Sequence, residues 1–199
     1  MTETIKVGFK RLNDNAIIPT KAYPTDSGFD LYASKDVIIE PGETTVVPTG
    51  IAVELPPGYE ATVRPRSGIT AKTKLRVQLG TIDNEYRGEI GVIVDNISEA
   101  SNKADYGYYR LNGDYWIDHR VKAEKGSYLI KKHERIAQLV IQPLPTVEAY
   151  EVEAELSETE RGDGGFGSTG YSTISPKIKE GKILLDRNNP DHRYIMEDD

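Results

Sequence analysis

Residues 36–68, DVIIEPGETTVVPTGIAVELPPGYEATVRPRSG, are the stretch that decides the fold. Short runs of β-branched residues alternate here with turn signals at Pro41-Gly42, Pro48, Thr49-Gly50 and Pro56-Pro57-Gly58. Short strands broken at this spacing by Pro and Gly are typical of an all-β sandwich, jelly roll or barrel. We therefore expect an all-β fold.

The rest of the chain extends this pattern. Residues 88–98, GEIGVIVDNIS, predict another strand, and residues 127–145, SYLIKKHERIAQLVIQPLP, predict two more. Residues 67–76, SGITAKTKLR, form the only helix that we predict before residue 150. We expect three segments: a β core at 1–147, an acidic linker and glycine-rich arm at 148–170, and an extension at 171–199. We expect the extension to be flexible, with a short helix as the alternative.

Composition narrows the function classes. The formal net charge of −7 argues against non-specific nucleic-acid binding, which needs a basic face. No apolar run approaches the roughly 20 residues that span a bilayer, and the N-terminus lacks the apolar segment of a signal peptide. The chain has no cysteine and only three histidines, so thiolate and histidine-rich metal sites are not expected. We expect a cytoplasmic protein without nucleic-acid or membrane partners.

Two glycine-containing stretches carry groups that suit phosphate. Residues 64–68, RPRSG, place arginines and a hydroxyl at the start of the predicted helix, where backbone amides are exposed. Residues 161–170, RGDGGFGSTG, combine Arg161 and two hydroxyls with five glycines and one aromatic, Phe166. Such a segment is mobile until a ligand orders it, and the phenylalanine offers a flat face to a base. Taken alone, each stretch also suits an ordinary turn or linker.

Two further stretches carry carboxylates on turns. In residues 79–96, LGTIDNEYRGEIGVIVDN, we expect Asp83 and Tyr86 to project from a hairpin. A carboxylate there can deprotonate a water for attack on phosphorus, and a tyrosine three residues later can pack against a sugar ring. Asp26 and Asp30, in DSGFDLYAS, could hold waters around a Mg²⁺ clamped by a triphosphate. An isolated turn carboxylate more commonly serves only its turn.

Five stretches, taken in order, resemble the five motifs of the trimeric deoxyuridine triphosphate nucleotidohydrolases (dUTPases). They are DSGFDLYA, RPRSGI, GTIDNEYRGEIGV, ERIAQLVI and RGDGGFGSTG. The resemblance implies a jelly-roll-like β-barrel, a homotrimer with active sites shared between chains, and Mg²⁺ as cofactor. The implied reaction is hydrolysis of dUTP to dUMP and pyrophosphate, which keeps uracil out of DNA and supplies dUMP for dTMP synthesis.

The resemblance also implies a role for each matched residue. Asp83 would activate the water that attacks the α-phosphorus, and Tyr86 would lie under the deoxyribose and reject UTP. Main-chain groups from Gly80 to Tyr86, with Ile82 between them, would bind the uracil edge. The residues expected to bind phosphate in a second subunit are Arg66, Ser67, Gly68 and Gln138.

The third subunit would supply the arm. Phe166 would stack on the uracil, and the groups expected to close over the phosphates are Arg161, Gly167, Ser168 and Thr169. Mg²⁺ would bind mainly to the triphosphate, with Asp30 contacting it through water.

The chain departs from the family pattern in its fourth motif. His133-Glu134 stands where most members have Gly-Asp, so Glu134 can replace the aspartate only at longer reach. Gln78 is a candidate uracil contact upstream of the third motif, but its spacing assigns no role.

A tyrosine-rich insert at about residues 98–124 separates the third and fourth motifs and holds the only tryptophan, Trp116. It is either a hairpin that packs on its own barrel or a surface for a regulatory protein, as in some phage members. A phage-encoded protein would act in the host cytoplasm. Two other functions stay open: a dCTP deaminase or bifunctional enzyme using Glu85 or Glu89, and a nucleotide-gated regulatory protein.

Overall fold

The computed structural model describes residues 4–100, 104–159, 161–164, 177–179 and 182–184. Those residues contain one short helix, α1 (Ser67–Lys72), which confirms the first part of the helix predicted at 67–76, whereas Leu75 and Arg76 belong to a strand. The strands are β1 (Gly8–Arg11), β2 (Gly28–Tyr32), β3 (Val37–Ile39), β4 (Thr44–Pro48), β5 (Ile51–Glu54), β6 (Tyr59–Arg64), β7 (Leu75–Val77), β8 (Gly80–Ile82), β9 (Gly91–Asn96), β10 (Ala104–Asp105), β11 (Gly107–Tyr109), β12 (Tyr115–Ile117), β13 (Ala123–Glu124), β14 (Tyr128–Ile130), β15 (Arg135–Pro143), β16 (Lys177–Lys179) and β17 (Lys182–Leu184). The all-β prediction is confirmed. Within the described ranges, no helix has the length and apolarity needed to cross a membrane.

The chain separates into two compact units, Met1–Glu148 and Ala149–Asp199. In the first unit, one antiparallel sheet has the strand order β2-β15-β6-β8, and a second has the order β4-β9-β7. A third sheet, β12-β11-β14-β3, contains one parallel pair, β11 with β14, and β1 pairs with β5. We refer to β2-β15-β6-β8 as the site sheet, because it carries most of the candidate site.

Apolar residues on or beside the strands supply the core of the first unit. The largest side chains with almost no exposed surface are Leu31, Ile39, Ile51, Leu75, Ile90, Ile130, Ile136 and Leu139. Each lies on or beside a strand, and together they form one cluster. Truncating such a side chain to alanine typically costs about 2–5 kcal/mol, so this cluster holds the sheets that position the site.

The insert is a small β structure closed at its base. Strands β10 and β13 pair with each other, and β11 and β12 form a hairpin whose turn contains Asn112-Gly113. Strand β11 joins the core, because the Tyr109 ring lies 5.3 Å from that of Tyr128 and Tyr108 is buried. Strand β12 is the outer strand of its sheet, and all three of its residues are exposed.

The second unit has little burial in its described part. Every residue from 149 to 159 is exposed. Strands β16 and β17 pair antiparallel, with Ile178 opposite Ile183. The short helix considered for the extension is therefore wrong for these residues, since the described backbone is extended on both sides of Glu180-Gly181.

Candidate active site

The site sheet brings motifs distant in the sequence to neighbouring strands. Gln138 on β15 lies opposite Asp30 on β2 and Arg64 on β6. Strand β6 leads through Pro65 into α1, which begins at Ser67. The first, second and fourth motifs therefore meet at one region of a single sheet.

Asp30 connects these strands through two arginines. Its Oδ1 lies 3.4 Å from Nη1 of Arg66, and its Oδ2 accepts a hydrogen bond of 3.1 Å from Nη1 of Arg135. The Asp30 side chain is only 11% exposed, so the two guanidinium groups offset the cost of burying its charge. The ion pair with Asp30 holds the Arg66 side chain in place. Each of the two Asp30 carboxylate oxygens faces a guanidinium group.

A cleft of about 700 Å³ lies beside α1. All four residues predicted to bind phosphate line this cleft: Arg66, Ser67, Gly68 and Gln138. Lys72, Arg110 and Arg135 add further cations, and Glu134 adds a carboxylate. The walls therefore combine positive charge with polar donors, which suits a polyanionic ligand.

The start of α1 exposes backbone donors to this cleft. Ile69 is the first residue of α1 whose amide has a partner in this segment: it donates to the Arg66 carbonyl at 3.1 Å. The amides of Ser67 and Gly68 precede it, and both residues are exposed. They can donate to phosphate oxygens together with the Arg66 guanidinium.

One asparagine, Asn84, anchors the turn after β8 to the segment before β6. Nδ2 of Asn84 donates to the Pro56 carbonyl at 2.7 Å and to the Tyr59 carbonyl at 3.0 Å. The neighbouring Asp83 is exposed, and its carboxylate has no hydrogen-bond or ion-pair partner within the described ranges. Asn84 thus holds the backbone of the turn, and the Asp83 carboxylate is exposed to solvent.

Tyr86 packs on the same turn. Its hydroxyl donates to the Glu89 carbonyl at 2.9 Å, and a Cβ at Gly88 would lie 2.4 Å from that hydroxyl oxygen. Glycine at 88 therefore allows the ring to fold across the turn. The predicted hairpin is wrong in one respect: β8 pairs with β6, and β9 pairs with β4 and β7. The turn therefore links two different sheets.

The structure does not bring every candidate residue together. Gly80, Ile82, Asp83 and Tyr86 do not line the cleft beside α1. Arg161 belongs to the second unit, is exposed, and donates from Nε to the Gly164 carbonyl at 3.0 Å. The remaining arm candidates, Phe166, Gly167, Ser168 and Thr169, lie outside the described residues.

Three other polar residues considered from the sequence have structural partners. Nε2 of Gln78 donates to the Asp95 carboxylate, and the Asp26 carboxylate accepts the Tyr23 amide at 2.9 Å. Oε1 of Glu89 accepts the Gly50 amide at 2.6 Å, which ties the turn to β5. These contacts favour structural roles for all three, and they leave exposed Glu85 as the remaining deaminase candidate.

Sequence reasoning missed the contact between the insert and the fourth motif. Nη2 of Arg110 donates to Oε1 of Glu134 at 2.5 Å, while Oε2 of Glu134 accepts the Lys131 amide at 2.8 Å. The preceding His133 has a φ of 71°, a left-handed conformation in the position where the family pattern has glycine. The longer Glu134 side chain reaches the insert, but no local pattern pairs it with Arg110.

Known proteins match this chain on both sides of the insert. The dUTPase family model matches residues 14–104 and 121–170. A deoxyuridine 5'-triphosphate nucleotidohydrolase of Clostridioides difficile is 42% identical over 164 residues, covering 81% of this chain and 96% of that protein. One of Nautilia profundicola is 45% identical over 168 residues, covering 83% and 99%. The unmatched residues 105–120 lie within the insert.

Solved structures of phage proteins are also similar. The dUTPase of Staphylococcus bacteriophage 80alpha with dUPNHPP superposes with a TM-score of 0.80 at 37% identity, covering 84% of this chain and all of that chain. It is described among phage dUTPases that control transfer of virulence genes by a G protein-like mechanism. The dUTPase of phage phi11 of S. aureus, described with a species-specific insert, gives a TM-score of 0.72 at 33% identity, covering 77% and 100%. The predicted jelly-roll-like fold is confirmed, and the chain belongs to the dUTPase family.

Proposed function

We propose that this protein hydrolyses dUTP to dUMP and pyrophosphate. The observation that carries the proposal is the convergence of the second and fourth motifs on one cationic cleft in a chain of this family. Phosphoryl transfer depends on positioning and charge stabilisation more than on covalent chemistry by the protein. A chain without cysteine can supply both with arginines, amides and one free carboxylate.

Asp83 acts as the general base in this proposal. Its carboxylate takes a proton from a water molecule as the water oxygen attacks the α-phosphorus. The bond from the α-phosphorus to the bridging oxygen breaks, and pyrophosphate leaves with that oxygen. Asp83 then releases its proton to solvent. The exposed position of Asp83 and its freedom from an ion pair support this role.

Nucleotide binding is divided between two regions. Arg66, Ser67, Gly68 and Gln138 bind phosphate oxygens in the cleft, and backbone groups from Gly80 through Ile82 to Tyr86 bind the uracil. The Tyr86 ring packs on the deoxyribose and excludes a 2′-hydroxyl. The arm adds Arg161, Gly167, Ser168 and Thr169 on the phosphates and Phe166 on the base, where stacking typically contributes about 1–3 kcal/mol.

Mg²⁺ is the proposed cofactor, carried by the triphosphate. A variant of the phi11 dUTPase is described with a structural Mg(II) ion. In this chain, both oxygens of Asp30 face guanidinium groups, and the described residues contain no cluster of three or more metal-ligating side chains. These side chains alone do not fit a resident ion. Bound to the nucleotide, Mg²⁺ would neutralise phosphate charge, and the water-mediated contact to Asp30 stays a prediction.

Pyrophosphate release tests the proposed activity. Wild-type protein is incubated with Mg²⁺ and, separately, dUTP, dCTP, UTP or dTTP. We expect release from dUTP and little from the other three. Release of ammonia from dCTP would favour the deaminase alternative, and no release from dUTP by folded protein would refute the proposal.

We further propose a homotrimer in which each active site takes residues from several chains. The separation of Asp83 and Tyr86 from the cleft of their own chain supports this arrangement. Light scattering should give three times the chain mass of 22.2 kDa. Asp83→Asn and Arg66→Gln should each be inactive alone, and co-refolded mixtures should recover activity because some sites receive both intact residues. Mixtures that stay inactive would place both residues of a site in one chain.

A second proposed role is binding of a regulatory protein through the insert, at residues 98–124. The outer strand β12 supports it, since Trp116 is 53% exposed and Ile117 is 67% exposed. A relative from phage 80 is described with SaPI-inducing capacity. We expect this chain to induce such an element. Ile117→Ser should reduce induction while hydrolysis persists. Arg120→Gln, at an exposed arginine, should change neither induction nor hydrolysis. Equal induction by Ile117→Ser would exclude β12 as the contact surface.

In the cell, the proposed activity keeps uracil out of DNA and supplies dUMP for dTMP synthesis. We propose the cytoplasm as its location, or the host cytoplasm for a phage-encoded protein. We also propose that the chain is organised in three segments: a core at 1–147, a linker and arm at 148–170, and an extension at 171–199.

A further inference from the structure

The tip of the insert hairpin forms one wall of the cleft beside α1. Arg110, Asn112 and Trp116 line the cleft together with residues of the second and fourth motifs. The turn packs directly on the helix end: Gly113 has a φ of +90°, and a Cβ there would lie 2.9 Å from the Lys72 carbonyl oxygen. The insert therefore contributes to the shape and charge of the phosphate-binding cleft.

Glu134 orients the Arg110 side chain, but only part of the guanidinium takes part in described hydrogen bonds. One guanidinium nitrogen, Nη2, donates to Glu134, whose other oxygen is held by the Lys131 amide. The Nε of Arg110 is buried and has no hydrogen-bond partner within the described ranges. Because Nε is buried, the terminal nitrogens are the ones that can donate to a ligand in the cleft, and the described contact to Glu134 engages only one of them, Nη2.

The charges in the cleft favour an anion at this position. Among the described residues, four cationic side chains line it, one of its lining residues is the carboxylate Glu134, and Asp30 pairs with two of the cations. Asp30 is already shared between Arg66 and Arg135, whereas Glu134 pairs with Arg110. The cleft thus has an excess of positive charge beside an arginine with unused donors.

We propose that Arg110 is a phosphate-binding residue contributed by the insert, held toward the nucleotide by Glu134. The proposal rests on the proposed function in that the cleft receives the phosphates of dUTP. It assigns the insert a direct part in substrate binding, in addition to any surface that it presents to a protein.

Calorimetric titration with inorganic pyrophosphate tests Arg110 independently of hydrolysis. The variant is Arg110→Gln, and the matched control is Arg120→Gln, an arginine on the same insert with 90% of its side chain exposed. Losing a charge-assisted contact should weaken pyrophosphate binding about tenfold in Arg110→Gln and leave the control unchanged. Binding of deoxyuridine, which has no phosphate, should be the same in both variants.

Two outcomes would overturn the proposal. Pyrophosphate affinity equal to that of the wild type would remove Arg110 from phosphate binding. Parallel loss of pyrophosphate and deoxyuridine binding, with a lower melting temperature, would show that the arginine only anchors the hairpin. Arg110→Lys retains the charge toward Glu134 but loses the planar fork, so it should bind pyrophosphate several-fold more weakly even if Arg110→Gln fails to fold.

The titration also separates this proposal from the proposed function. A wild-type protein that binds pyrophosphate through Arg110 but does not hydrolyse dUTP would refute the activity alone. Hydrolysis of dUTP with an unchanged KM in Arg110→Gln would refute the role of Arg110 alone.

Discussion

The turn after β8 and the cleft beside α1 hold their candidate functional side chains by different interactions. In the turn, side chains bond to backbone groups: Asn84 donates to the Pro56 and Tyr59 carbonyls, Arg87 donates to the Asn84 carbonyl, and Glu89 accepts the Gly50 amide. In the cleft, guanidinium groups pair with carboxylates, as at Asp30 and Glu134. Neutral bonds to the backbone, such as those of Asn84, fix geometry at any ionic strength, whereas partly exposed ion pairs are weakened by salt.

This difference matches what each region is proposed to do. A general base must stay in place and keep its carboxylate free to accept a proton, and the Asn84 contacts meet the first need without using the Asp83 side chain. Phosphate binding needs cations that are held toward the ligand and keep donors for phosphate oxygens. An ion pair such as that of Arg110 with Glu134 orients the guanidinium without engaging all of its donors.

The largest effect should follow from Asp83→Asn. Replacing the proposed base with an amide should lower kcat about 10²–10⁴-fold, because the amide cannot take the proton from water. Titration with dUPNHPP should show nearly unchanged binding, since the cleft is untouched. Asp14→Asn, at another exposed carboxylate, serves as the control and should keep full activity. Retained hydrolysis in Asp83→Asn would remove the turn from the chemistry.

Asn84→Ala should have the next largest effect and tests whether neutral contacts hold the turn. The change leaves the Pro56 and Tyr59 carbonyls without their donor, at a cost of about 1–3 kcal/mol in the free energy of unfolding. Denaturant unfolding measures this loss. Asn15→Ala, at an exposed asparagine, should change stability by less than about 0.5 kcal/mol. Equal losses in the two variants would mean that Asn84 is not a special anchor.

Gly88→Ala should act on specificity more than on stability. The added Cβ would overlap the Tyr86 hydroxyl, and this half-exposed ring can move away from the turn. We expect the preference for dUTP over UTP in kcat/KM to fall about tenfold, which corresponds to 1.4 kcal/mol. Gly8→Ala provides a control, since its Cβ would make only ordinary contacts, the nearest at 3.4 Å. Unchanged discrimination would separate Tyr86 from recognition of the sugar.

The smallest effect concerns His133, beside the Glu134 ion pair. Glycine adopts a positive φ without strain, whereas alanine pays about 1–2 kcal/mol for it. His133→Gly and His133→Ala both lose the imidazole contact to the Asn15 carbonyl, so their difference reports the backbone strain. We expect the glycine variant to be about 1 kcal/mol more stable than the alanine variant in denaturant unfolding. The reverse order would contradict a strained φ at this position.

Much of the fold could be predicted from residues 36–68, because Pro and Gly end strands through local backbone effects. The breaks at Pro41-Gly42 and Pro56-Pro57-Gly58 separate β3 from β4 and β5 from β6. The partners of each strand were not readable in this way. Strands β8 and β9 flank a turn yet join different sheets, and only the packing of the whole chain decides that pairing.

The candidate site was predictable where the residues form motifs and unpredictable where they pair at long range. Residues of the second and fourth motifs line one cleft, and their role in phosphate binding stays a prediction. Arg110 has no motif of its own, and its partner lies 24 residues away. Likewise, nothing local shows that Asp30 would be shared by two arginines. Side-chain pairs of this kind arise only after the sheet has formed.

The pairing of β10 with β13 has a consequence for protein engineering. Ala104 lies opposite Glu124 and Asp105 opposite Ala123, so the chain enters and leaves the hairpin on neighbouring strands about 5 Å apart. Ends that lie this close accept a foreign segment without stretching the host. Strand β11 must stay, because Tyr108 is buried and Tyr109 packs on Tyr128, so the place for a peptide epitope is the exposed turn at His119-Arg120 between β12 and β13.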